Sequence, residues 1–209
     1  FIYFSTQQVL GSMHTETITE AFLPNPINKY SLTHLLSENI VTYYHNVSNT
    51  NCINVRLSNG YGSPVFYENN CWWLVINDLC RTAFQESKIV LSSDGSPQRD
   101  FIHISDICKA IEVLLKHNAG FEENLFHLAS GNTLTILELA HKIKRVFFKR
   151  YKKNIPVYLP DNIFSGSVID VQDDEKFHID VARINKFGYH SEVNLEMGVN
   201  EIFDYLESH

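Results

Sequence analysis

Apolar residues open the chain in a short run, Phe1 to Phe4, which predicts a strand, and a polar turn carrying Ser5 and Thr6 follows it. A loop rich in Pro and Asn then leads to a helix that opens near Tyr30 and runs to Val47. Cys52 to Leu57 alternates as a strand does. Trp72, Val75, Ile76 and Leu79 fall on the three- and four-residue steps of one helical face, predicting an amphipathic helix from about Cys71 to Phe84. Lys88 to Leu91 reads as a short strand. Ile107, Ala110, Ile111, Leu114 and Leu115 mark the inner face of a helix over 106–117. A strand at Leu125 to Leu128, a helix from Thr135 to Tyr151 and a strand at Ile155 to Leu159 follow. Beyond them come an irregular stretch from Asp161 to Lys176 and a last helix from Glu192 to Leu206.

Two polar side chains on the first helix carry the strongest chemical signal. A spacing of four places Tyr30 and His34 one above the other on a single side. Hydroxyls at a strand end, Ser5 and Thr6, beside a tyrosine on the next helix suggest proton transfer at a secondary alcohol. The tyrosine would act as acid or base, and Ser5 or Thr6 would hold the substrate oxygen. An ordinary phenol has a pKa of about 10, so about one in a thousand is ionised at pH 7, and a positive neighbour is needed to raise that share. His34 stands where such a group would act, although an ordinary imidazole is mostly neutral at that pH. Packing and solvation remain an alternative use for a Tyr and a His at this spacing.

Composition narrows the partners more than it identifies them. The 209 residues carry a formal net charge of -7, which argues against a general nucleic-acid binder. Lys142, Lys144, Arg145, Lys149, Arg150, Lys152 and Lys153 gather at the end of one helix, where a solvated face and the helix dipole are reason enough for them. We therefore expect no nucleic-acid partner. No run of eighteen apolar residues occurs, and no leader-like start is seen, so no membrane partner and a cytoplasmic location are expected. Cys52, Cys71, Cys80 and Cys108 form no C-x-x-C pair and suit a reducing compartment. His103 and Asp106 stand three apart without an evident third ligand, so a helix cap at Ser105 or Asp106 is expected there and no metal site.

Several ordered segments resemble the extended short-chain dehydrogenase/reductase family, in its NAD-dependent epimerase/dehydratase branch acting on nucleotide sugars. They are S-T-Q-Q-V-L-G (Ser5 to Gly11), Y-S-L-T-H (Tyr30 to His34), R-L-S-N-G-Y-G-S-P (Arg56 to Pro64), Q-R-D-F-I-H-I-S-D-I (Gln98 to Ile107) and H-I-D-V-A-R-I-N-K-F-G-Y (His178 to Tyr189). The resemblance implies that Thr6 is the catalytic hydroxyl, with Ser5 its neighbour, and that Tyr30 is the general acid/base. His34 occupies the place of the lysine that, in the family, holds the nicotinamide ribose. Ser5, Tyr30 and His34 are thus the implied cofactor contacts, with NAD or NADP as the cofactor. Asn59 and Arg99 are the implied substrate contacts, Arg99 reaching a phosphate through charge-assisted bonds. Asp180 is implied as a helix cap.

The family pattern is also departed from. Lysine is replaced by His34, Leu10 stands for a tyrosine, and Ser63 is inserted before Pro64. Phe164 to Val168 carries neither charge of the family's second phosphate-binding segment. No G-x-x-G-x-x-G occurs in these residues, and an apolar strand at Phe1 leads us to expect further sequence upstream. The implied fold is α/β, a partial Rossmann-like parallel sheet with a smaller α/β substrate-binding part. Residues 1–64 and 98–130 would form the first part, and 65–97 and 131–209 the second with the terminal helices. The implied function is NAD-dependent oxidation at a hydroxyl of a nucleotide sugar. The alternative is a noncatalytic remnant or partner-binding subunit of the same fold, using Trp72 and Trp73 or an exposed sheet surface. A homodimer or another protein partner stays open in either case.

Overall fold

In the computed structural model, which describes residues 1–13, 17–66, 68–117, 120–160 and 176–209, the opening apolar run is strand β1 (Ile2–Thr6). The other elements, in chain order, are β2 (Thr17–Ile18), α1 (Lys29–Val47), β3 (Ile53–Leu57), β4 (Asn59–Tyr61), α2 (Val75–Glu86), β5 (Ile89–Val90), β6 (Gln98–His103) and α3 (Ile104–Lys116). After them come β7 (Leu125–Leu128), β8 (Thr133–Thr135), α4 (Ile136–Tyr151), β9 (Val157–Tyr158), β10 (His178–Ile179), α5 (Ala182–Asn185) and α6 (Leu195–Ser208). The expected α/β architecture is present. Strands β1, β3 and β7 form a parallel sheet in that order, as strands joined through helices must. Parallel β4 and β6, with antiparallel β8, form a second sheet, and β2–β10 and β5–β9 are short parallel pairs.

Register explains why β3 carries polar residues although it is buried. Ser5, Arg56 and His127 are direct neighbours across β1, β3 and β7, so they form one polar row on one face. Glu38 of α1 closes over that row. Arg56 donates to it through Nε at 2.9 Å and Nη2 at 2.8 Å, and Ser5 Oγ donates to its Oε1 at 2.5 Å. Asn54 Nδ2 donates to Glu38 O and to Thr42 Oγ1, both at 3.2 Å. On the opposite face Ile53, Val55, Phe126 and Leu128 pack with Ile102, Ile107, Ala110 and Leu114. A separate apolar core joins α2, α4 and α6 through Ile76, Leu79, Ala83, Leu139, Ile143, Phe147, Val199, Ile202 and Phe203.

Several local expectations shift. Helix α2 begins at Val75 rather than Cys71: Leu74 N turns back to Cys71 O and Leu74 itself is extended, so both tryptophans precede the helix. Helix α3 is capped neither by Ser105 nor by Asp106 but by His103, whose Nδ1 accepts from Ser105 N at 3.3 Å. Asp106 instead holds the approach to α6, accepting from Ser191 Oγ, Glu192 N and Val193 N. Leu115 lies on the outer side of α3, 68% exposed. Asp180 is not the cap of α5, a place that Val181 takes without a side-chain bond, but from one residue earlier it accepts from Ala182 N at 2.7 Å. The basic end of α4 is turned on α6, where Lys149 meets Glu196 and Arg150 meets Asp204 and Glu207. Asp161, Asp170, Asp173 and Asp174 lie outside the described residues, as does Phe164 to Val168. No described helix is long and apolar enough to cross a membrane.

Candidate functional site

The end of β1 is fixed by local hydrogen bonding. Thr6 caps a short 3-10 turn, Gln7–Leu10, its Oγ1 accepting from Gln8 N at 3.2 Å. Gly11 follows at φ 72°, and a Cβ there would meet Asn25 O at 2.2 Å, so only glycine lets the Pro/Asn loop lie against the turn. Asn25 N donates to Val9 O at 2.9 Å. The loop then delivers Asn28 as the cap of α1, in a reciprocal capping box with Ser31. This places Tyr30 in the first turn, facing the end of β1.

Tyr30 and His34 share a helix side, with ring centroids 4.5 Å apart in an edge arrangement. His34 is also tied to the sheet, its Nδ1 lying 2.9 Å from Tyr3 Oη. Its ring therefore props the Tyr30 ring, although His34 itself lines neither of the two cavities at the end of β1. Tyr30 is 53% exposed and lines a cavity of about 470 Å³ together with Thr6, Gln8, Asn28, Asn59, Trp73 and Phe101. A second cavity of about 250 Å³ adjoins it through Thr6, Gln8, Asn28, Ser58 and Asn59, and is lined by Arg99. Thr6, Tyr30 and Asn59 are thus brought together, with Arg99 next to them. Ser5 is not among them: its hydroxyl is buried and committed to Glu38. Arg56, the first residue of R-L-S-N-G-Y-G, is likewise spent on Glu38 inside the sheet.

Asn59 Nδ2 donates to Asp100 O at 2.9 Å, leaving its carbonyl oxygen turned to other uses. Arg99 is exposed, with one guanidinium nitrogen, Nη1, on Gln98 O at 2.7 Å. Asp100 faces inward and accepts from Ser130 N, Ser130 Oγ and Asn132 N. Burial holds its carboxyl above the usual range although these bonds oppose the shift. Tyr61 also lines the cavity, and burial pushes its phenol well up, with the Asp106 charge adding to the effect. Helix α6 crosses here at Gly198, where a Cβ would sit 2.6 Å from the Tyr61 ring and 2.9 Å from the His103 ring.

Gln8, Asn28 and Phe101 line the site without being marked as site residues by the sequence, whereas Trp73, one of two tryptophans whose sequence reading left pocket, partner surface and core packing open, lines it as well. Asn28 had a readable signal, since it stands three residues before Ser31 at a helix start. Phe101 lies inside R-D-F and carries no polar group that would mark it as a site residue. Among the described residues no group of His, Cys, Asp and Glu is arranged to hold a metal ion. For a dinucleotide, the Nε2 of His34, beside Tyr30, is a polar atom of the kind that pairs with a ribose hydroxyl. A glycine-rich cradle for the pyrophosphate does not occur in this sequence.

Comparison with known proteins agrees with these segments. The model of the NAD dependent epimerase/dehydratase family matches residues 1–129. A trifunctional UDP-glucose 4,6-dehydratase/UDP-4-keto-6-deoxy-D-glucose 3,5-epimerase/UDP-4-keto-L-rhamnose-reductase of Arabidopsis thaliana is 24% identical over 98% of this chain and 29% of its own length. A dTDP-glucose 4,6-dehydratase of Actinoplanes sp. is 27% identical over 66% of this chain and 41% of its own. Among solved structures, UDP-glucuronic acid 4-epimerase from Bacillus cereus in complex with UDP-glucuronic acid and NAD matches the whole chain at a TM-score of 0.79 and 19% identity. It shares the fold, and this chain covers 61% of it. The chain thus spans less than two thirds of the length of each of these relatives.

Proposed function

The chain belongs to the NAD dependent epimerase/dehydratase family, and on that premise we propose that it holds a nucleotide sugar and transfers a proton at one sugar hydroxyl. The observation that carries this reading is the meeting of Thr6, Tyr30 and Asn59 on one cavity with Arg99 on the next. The relatives named above include enzymes acting on UDP- and dTDP-sugars.

In this reading Arg99 binds the diphosphate and Asn59 orients the substrate beside it. The Thr6 oxygen already accepts from Gln8 N, so its own proton is the one it offers to the substrate oxygen. Tyr30 takes the hydroxyl proton as general base. Hydride acceptance is the chemistry that NAD or NADP supplies when bound. His34 holds the Tyr30 ring in place and offers Nε2 to a ribose. Residues 1–64 and 98–130 are the Rossmann-like part in this proposal, and 65–97 and 131–209 the substrate part.

Calorimetric titration with UDP-, GDP-, CDP- and dTDP-sugars tests the substrate site, and absence of binding by all four classes would sink it. Where turnover with NAD or NADP is measurable, Tyr30→Phe is expected to lower kcat by about a hundredfold or more. An unchanged rate removes Tyr30 from the chemistry.

A second reading, a partner-binding subunit, has its own observation. Among the described residues β1 pairs on one side only, and beside it Phe1, Tyr3, Ile40, Val41, Tyr44 and Cys52 line an apolar groove of about 510 Å³. A chain that stays monomeric and well folded at high concentration, and captures no specific partner, argues against it.

A further inference from the structure

We propose that Trp73 determines sugar specificity at the candidate site, its indole face receiving the C–H face of the pyranose ring. This inference rests on the nucleotide-sugar reading above. The two tryptophans are adjacent in sequence but differ in use. Trp72 is partly buried, its ring centroid 6.0 Å from that of Tyr205 and the Arg81 guanidinium 5.7 Å from its ring. Trp73 is 75% exposed yet lines the cavity that holds Thr6 and Tyr30.

Its orientation is fixed by one bond. Trp73 Nε1 donates to Asn70 O at 2.9 Å, and indole has no other polar atom. What the side chain still offers to the cavity is therefore apolar indole surface. An indole is among the largest apolar surfaces a residue can bury, so its exposure at a cavity mouth leaves an uncovered wall of ligand size.

The position of Arg99 decides which part of the ligand meets that wall. With the diphosphate on Arg99 in the adjoining cavity and the reacting hydroxyl at Tyr30, the group lying in the Tyr30 cavity is the sugar. A pyranose has a rim of hydroxyls and two faces bearing C–H hydrogens. The cavity matches both features: Thr6, Asn28, Tyr30 and Asn59 supply polar groups for the rim, and Trp73 supplies a flat apolar surface. Sugars whose stacking face is interrupted by an axial hydroxyl are disfavoured by such a wall, because that hydroxyl would be desolvated without a partner.

The test titrates the chain with UDP-glucose and dTDP-glucose, and with UDP and dTDP as sugar-free controls, by calorimetry and by tryptophan emission. The wild type, Trp72→Phe, Trp73→Phe and Trp73→Leu are compared. Both sugar nucleotides are expected to change an emission signal that Trp72→Phe keeps and Trp73→Phe loses. Trp73→Leu should weaken the sugar nucleotides about fivefold to tenfold while leaving UDP and dTDP within about twofold, and Trp73→Phe should recover part of the loss. Equal weakening of UDP and UDP-glucose would overturn the proposal by assigning the indole to base or phosphate. Sugar nucleotides that bind equally well to wild type and Trp73→Leu would overturn it while sparing the substrate reading. No heat with any of the four ligands in the wild type would overturn both.

Discussion

Helix α1 and the α2–α4–α6 unit are attached to the molecule by different physics. In α1, nineteen residues long, only Ser31, Glu38 and Val41 are buried, and its hold on the sheet runs through the Ser5–Glu38–Arg56 cluster and the Asn54–Thr42–Asn124 links. In the helical unit the contact is apolar from Ile76 to Phe203, and charges such as Arg150 and Glu207 stay at its rim. A polar attachment fixes one register with few contacts and leaves the outer face of its helix open. An apolar attachment is tolerant of detail but sensitive to volume.

The largest effect is expected from splitting the buried ion pair. Glu38→Ala leaves Arg56 charged inside the sheet and should cost about 3–5 kcal/mol in urea unfolding. The double variant Glu38→Met with Arg56→Leu should return most of that loss, since an apolar pair of similar volume avoids both desolvation penalties. A double variant as unstable as the single would show that the cluster does more than pair charges.

Leu139→Ala, in the helical unit, should cost about 2–5 kcal/mol through lost burial and a cavity. A loss below about 1 kcal/mol would mean that this core collapses around the gap and is looser than its packing shows.

The third test uses pH on the polar side alone. Burial, and then the Arg56 charge, push the His127 imidazole down to about 3. In the unfolded chain the ring takes up its proton at about 6.5, so between these values the unfolded state binds more protons. His127 therefore contributes stability that is fully present above pH 6.5 and is lost as pH falls toward 3. Between pH 7.5 and pH 5 the expected loss is about 2 kcal/mol, and His127→Gln should remove that part of the pH dependence. Identical pH slopes for wild type and variant would contradict it.

The smallest effect belongs to the open face of α1. Ile40 is 59% exposed, and Ile40→Ala should change stability by no more than about 0.5 kcal/mol. A loss above about 1 kcal/mol that grows with protein concentration would show that a second copy covers this face in solution.

The same contrast sorts what sequence could show. Helix α2 announces its inner face by period, because apolar packing needs apolar residues at every turn. Helix α1 was legible through its position and through Tyr30 and His34. The burial of Glu38 was not, because the charge beneath it, Arg56, lies on a strand eighteen positions away. At the site, Thr6, Tyr30, Asn59 and Arg99 could be picked out by family spacing. The diversion of Ser5 could not, since neighbouring hydroxyls on a strand point to opposite faces and only the fold decides which face carries the partner. His103 as a cap was equally hidden: imidazole is an uncommon cap, and Ser105 and Asp106 are better ones by residue type.

The row of Ser5, Arg56 and His127 also has a kinetic consequence. Strand β3 reaches β1 only across α1, and β7 reaches β3 only across α2 and α3, so the row is assembled from three distant parts of the chain. Closing those loops costs entropy before any pairing compensates it, which makes parallel strands late partners in folding. The Glu38–Arg56 bond then latches a sheet already formed. Losing it should show as faster unfolding, with the folding rate little changed.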